Sequence, residues 1–145
     1  MINFLHTFTP NPILISLGPI NIYWYGLFIV FGILVALALT LKLSEYYDLE
    51  KNKIIDIGFW VIIFGIAGAR IYHVLLDLPY YLENPVNILK IWEGGLAIHG
   101  ALILGGLTAW YLVRKYSLNF WKLAAVVAPG LALAQAIGRW GNYFN

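Results

Sequence analysis

Two arginines lie within or at the end of apolar runs: Arg70 in IFGIAGARIYHVLL and Arg139 in ALAQAIGRWGNYF. An arginine in hydrocarbon costs roughly 2.5–3.5 kcal/mol even on the lenient insertion scale, so it turns to a bundle interior and finds an anion. For Arg70 an internal partner is at hand. His73 and Asp77 follow at i+3 and i+7 on the same helical face, so an ion pair with Asp77 is one reading and binding of an outside anion is the other. Arg139 has no such neighbour. Gln135 and Asn142 share its face and are neutral, which points to an anion from elsewhere. In a membrane the abundant anion is a lipid phosphate, which the planar guanidinium can take bidentately. His99 stands in WEGGLAIHGALILGG. It is read either as a hydrogen-bonding residue of the bundle or as a general base. An imidazole of ordinary pKa near 6.5 can accept a proton from a thiol near 8.5 when the two are held in contact. The glycines around His99 would admit a second backbone or a substrate. Tyr25, in NIYWYG, is read as an interfacial belt residue or as part of the site. His73 is read as structural, and His6 is assigned no role.

The chain contains no cysteine. Disulfides, thiolate metal sites and a cysteine nucleophile of its own are thereby excluded, and any thiol chemistry needs a partner's thiol. No metal and no cofactor are expected. Hydrophobic residues make up 61% of the chain and charged residues 11%, too little charge to cover a water-soluble globule of this size. The net charge of +2 gives no reason to expect a nucleic-acid partner. The first 19 residues carry no lysine or arginine, so no cleavable signal peptide is expected.

The elements that must position these residues are apolar segments. The expected fold is an all-α integral membrane bundle of about four transmembrane helices in one domain, over residues 20–41, 54–76, 96–113 and 123–140. The first carries no charge and at about 1.5 Å per residue would span roughly 33 Å, enough for a hydrocarbon core of about 30 Å. Lys42, Lys51 and Lys53 flank one connection and Arg114, Lys115 and Lys122 another, whereas the segment between them, from Asp77 to Gly95, has only Lys90. The bias predicts basic loops inside and the N-terminus outside. Helix directions then bring Tyr25, Arg70, His99 and Arg139 to one depth near the outer surface. The segment PYYLENPVNILKIW is read either as lying on the outer membrane surface, with a short helix over Val86 to Trp92, or as an ordinary extracellular loop. In the fourth helix Ala124, Ala128, Ala132 and Ala136 form one row, and Gly130, Ala134 and Gly138 a neighbouring one; small residues at this spacing allow close helix packing in lipid.

These residues also carry a family resemblance. IGRWGNYFN resembles the G-R-x-G-N-F-x-N run of the prolipoprotein diacylglyceryl transferases, and WEGGLAIHGALILGG their W-x-G-G-L-x-x-H-G-G segment. SLGPINIYWYGL and GARIYHVL are similar to the opening and second-helix segments. The resemblance implies an enzyme of the bacterial inner membrane. Such an enzyme moves the diacylglyceryl group of phosphatidylglycerol to the lipobox cysteine thiol in a prolipoprotein signal peptide. It implies Arg139, Asn142 and Arg70 as substrate-binding residues and His99 and Tyr25 as catalytic ones. The chain departs from the family pattern at Ala101, where a second glycine is usual, at Ala124–Val127, where an aspartate is common, and at His73, where an aromatic is frequent. Ending at Asn145, inside the motif, it is expected to be a fragment of a larger enzyme with activity impaired or absent. Two other readings stay open: a small intramembrane anion- or lipid-binding or transport module, and a haem or quinone protein using His73 and His99.

Overall fold

The computed structural model describes residues 12–17 and 20–144. His6 and Asn145 lie outside the described residues. The described chain opens on an antiparallel hairpin of β1 (Ile13–Leu17) and β2 (Ile20–Tyr23), with Ile13 opposite Tyr23 and Ile15 opposite Ile22. The alternating isoleucines at 13, 15, 20 and 22 suit a pleated strand. The first helix therefore begins at Trp24 rather than Ile20: the four residues expected at its start belong to β2. An uncharged apolar run does not by itself distinguish strand from helix.

Five α-helices follow: α1 (Trp24–Ser44), α2 (Lys51–Leu76), the short α3 (Leu78–Glu83), α4 (Ile98–Lys115) and α5 (Phe120–Gly141). The protein is an all-helical membrane protein apart from the hairpin. Three stretches, Trp24–Tyr47, Lys51–Leu76 and Phe120–Gly141, are long and apolar enough to cross a membrane. With 18 residues, including His99, Arg114 and Lys115, α4 is shorter and more polar. Large apolar side chains point outward on α1, α2 and α4, as at Leu34, Leu75 and Leu102. That is the arrangement expected where lipid is the solvent.

The chain divides into two compact units. One runs from Leu49 to Trp121; the other combines the residues up to Asp48 with those from Lys122 onward. In the first, α2 and α4 pack antiparallel along small residues: Gly65 lies against Ala101, Gly68 against Gly100 and Gly105 against Val61. At the far end of this pair the Tyr116 hydroxyl donates to the Asp56 carboxylate. That hydrogen bond, together with partial desolvation and the carboxylate's charge, holds the tyrosine above its ordinary pKa near 10. The folded pKa is raised, so the link is intact below pH 10 and is lost as pH rises through the shifted value. The unfolding midpoint should therefore fall more steeply as pH rises above about 10, the ordinary tyrosine value, in the wild type than in Tyr116→Phe. Parallel curves for the two proteins would show that the bond carries no pH-dependent stability.

In the second unit, α1 meets α5 through Gly32 beside Ala134 and Gly130 beside Ala36 and Thr40. Of the two small-residue rows expected in the fourth helix, the one containing Gly130 and Ala134 makes this contact. Ala128, Ala132 and Ala136 of the other row are exposed.

Between α2 and α4 the chain forms α3 and two 3₁₀ turns, Pro85–Leu89 and Ile91–Glu93. The single helix expected over Val86 to Trp92 is broken at Lys90. The carbonyls of Asn87, Ile88 and Lys90 accept hydrogen bonds from Arg70, and that of Asn87 also accepts the Lys90 amide within the turn.

Candidate functional site

Arg70 lies in the penultimate turns of α2 and is buried, at 8% exposure. Its Nε donates to the Ile88 carbonyl at 2.9 Å, and one terminal nitrogen donates to Gly94 at 2.7 Å and Gly95 at 2.9 Å. The other terminal nitrogen donates to Asn87 and, at a longer 3.4 Å, to Lys90. A guanidinium has five N–H groups, and here each has a carbonyl acceptor. The Tyr81 ring, itself buried, lies 5.3 Å from the guanidinium carbon. Carbonyl dipoles and an aromatic face thus solvate a buried cation in place of a counter-ion. Among the described residues Arg70 makes no ion pair with Asp77, the partner its helical face suggested.

This cage needs an unusual backbone at its centre. Gly94 and Gly95 have φ of +93° and +72°, values that a residue without Cβ adopts at little cost. They turn two successive carbonyls onto Arg70. A cavity of about 180 Å³ lies alongside, lined by Arg70, His73, Tyr80, Tyr81 and Asn87. It is well below the roughly 300 Å³ at which ligand pockets begin.

Immediately beyond the cage, the Ala97 amide donates to the Ala69 carbonyl at 3.0 Å and α4 starts. His99 is its second residue. The ring is exposed and lies 5.9 Å from the Tyr72 ring, with no hydrogen bond among the described residues. Gly100 faces the α2 backbone at Gly68. Of the two occupants that the glycines around His99 would admit, a second backbone takes the place at Gly100. His73 packs edge-on against Tyr81, a packing environment.

In the other unit, Arg139 stands in the last turn of α5 and Asn142 begins the 3₁₀ turn that follows. Both are exposed, and neither has a hydrogen bond or ion pair among the described residues. A cation here also complements the carbonyl end of its helix. Gly141, between them, is buried against α1; a Cβ on it would lie 3.2 Å from Cδ2 of Tyr25. Tyr25 is thus held beside the turn that carries Arg139 and Asn142, its side chain half exposed.

The family model of prolipoprotein diacylglyceryl transferase matches residues 12–145. The chain belongs to this family. Proteins named phosphatidylglycerol–prolipoprotein diacylglyceryl transferase are similar to it along nearly its whole length. The one from Trichormus variabilis is 44% identical over 142 residues, which is 98% of this chain and 50% of that protein. The one from Synechococcus elongatus is 46% identical, over 94% of this chain and 47% of that protein. The Listeria innocua protein is 45% identical, over 93% and 49%. The chain spans about half the length of the curated relatives it matches. The sequence reading overlooked Tyr72, Tyr81 and Gly68. Gly68 had a signal, because Gly65 and Gly68 place two small residues on one α2 face. Tyr72 and Tyr81 sit among many apolar-segment aromatics and had none.

Proposed function

We propose that this chain forms the phosphatidylglycerol-handling part of a diacylglyceryl transferase of the bacterial inner membrane. The observation that carries this reading is Arg139, an exposed guanidinium without a protein anion among the described residues, in a chain whose relatives are named for a phosphatidylglycerol-dependent transfer. Arg139 and Asn142 take the headgroup phosphate. His99 accepts the proton of a lipobox cysteine thiol presented by a prolipoprotein signal peptide. The thiolate sulfur bonds to the glyceryl carbon that carried the phosphate ester. The carbon–oxygen bond breaks, and its electron pair leaves with glycerol phosphate, whose charge Arg139 stabilises. Tyr25 supports the headgroup site beside Gly141. The four longer helices cross the membrane as one transmembrane domain with the N-terminus outside, and the 78–93 segment lies on the outer surface. This orientation rests on the basic loops.

The test is a chimera: a full-length relative in which the matching half is replaced by residues 12–145 of this chain. It is supplied with phosphatidylglycerol and a lipobox peptide, and thioether product is read by mass spectrometry. Product is expected, and His99→Ala should lower turnover by about 10²–10⁴-fold, the usual worth of a positioned base, with lipid binding retained. No product from the chimera, while the intact relative is active, would reject the reading. Unchanged turnover in His99→Ala would reject the base.

A further inference from the structure

The geometry points to Arg70 as a positioning residue that sets the start of the His99 helix, rather than as a ligand for the lipid phosphate. All five N–H groups of its guanidinium meet carbonyls of the segment from Asn87 to Gly95. No donor is left over for a headgroup. The side chain is buried and stacked on Tyr81. These acceptors lie 17 to 25 residues further along the chain. One side chain of α2 therefore ties down the first 3₁₀ turn, Lys90 and the Gly94–Gly95 pair, and so brackets the second turn.

The tie continues into α4. Gly95 is two residues from Ala97, whose amide is bonded to Ala69, the residue preceding Arg70. Arg70 and Ala69 thus grip the incoming chain at adjacent points, and His99 emerges two residues later beside Tyr72. The grip has no redundancy at Gly95. Its φ of +72° disfavours any side chain, and a Cβ there would lie 2.6 Å from the Arg70 terminal nitrogen and 2.7 Å from His73. Loosening Arg70 or altering Gly95 should therefore have the same consequence: the 86–97 segment swings free and His99 loses its place. This deepens the reading of His99 as the base and rests on it.

Two measurements separate the loop from the chemistry. Amide hydrogen exchange is followed on this chain in phosphatidylglycerol nanodiscs, for wild type, Arg70→Lys and Gly95→Ala. An ammonium has three donors on a single nitrogen and cannot span the fan of carbonyls. Exchange over residues 86–97 should rise by more than about tenfold in both variants, as expected for loss of several charge-assisted hydrogen bonds. The interiors of α2 and α4 should stay protected. In the chimera, both variants should lower kcat by up to about 10²-fold, the scale of an ångström's misplacement. KM for phosphatidylglycerol should hold, and the double variant should be no worse than the worse single, because both act through one loop. A loop as protected in Arg70→Lys as in wild type would overturn the proposal. So would a rise in KM with kcat unchanged, the signature of a lost headgroup contact, or additive losses in the double variant. If the chimera forms no thioether at all, the transferase reading fails while the exchange result still decides the role of Arg70. If Arg70→Lys does not insert, Gly95→Ala alone carries both measurements.

Discussion

Gly100→Ala should unfold the α2–α4 pair at markedly lower denaturant than wild type, whereas Gly106→Ala, six residues along the same helix, should be neutral or stabilising. A Cβ at Gly100 would overlap the Gly68 carbonyl oxygen and lie 2.5 Å from Cβ of Tyr72; at Gly106 it would meet nothing within 4 Å. Alanine is favoured over glycine in a helix by about 1 kcal/mol, so the open site gains. At the closed site the obstacle is backbone, which has no rotamer to change, and the helices must part. Overpacking of this kind costs about 1–3 kcal/mol, and the rigid neighbour puts Gly100→Ala at the upper end, near 10²-fold in the folding equilibrium. The unfolding midpoint in denaturing detergent, read by tryptophan fluorescence, checks this. Equal midpoints for the two variants would mean that the crossing is not as close as Gly68 and Gly100 place it. Because His99 adjoins Gly100, the same substitution should abolish transfer in the chimera.

Arg139→Gln should weaken phosphatidylglycerol binding by about 10- to 10²-fold, the worth of one or two charge-assisted hydrogen bonds of about 1.5–3 kcal/mol. Phosphatidylcholine binding is the reference for each variant. Arg139→Lys should recover part of the loss, since the charge remains but the planar fork does not. The fold should be untouched, because the side chain is exposed and makes no hydrogen bond or ion pair among the described residues. Native mass spectrometry of the chain with each lipid gives the measurement. Phosphatidylglycerol affinity equal in wild type and Arg139→Gln would remove Arg139 from the headgroup site.

The difference between the two arginines shows how far residue types alone can reach. For Arg139 the neutral neighbours Gln135 and Asn142 pointed to an outside anion, and the structure leaves it without a protein anion among the described residues. For Arg70 the same reasoning weighed Asp77 against a lipid, and among the described residues Asp77 is not its partner. Its acceptors are backbone carbonyls, which every residue possesses and no residue type announces. Only the path of the chain between α2 and α4 brings them to the guanidinium.

Composition and apolar run length determined the class of the protein and the positions of its long helices to within a few residues, because transfer free energies and local periodicity act along the chain. Its family was legible only through the resemblance of its motifs. Tertiary structure decided where the first helix begins, because an uncharged isoleucine-rich run is equally apolar as a hairpin strand. It decided that the glycine at 100 admits a helix backbone, because a missing Cβ marks a close approach without naming what approaches. It decided that Arg70 frames the loop before His99, because a buried guanidinium takes whichever acceptors the fold converges on it.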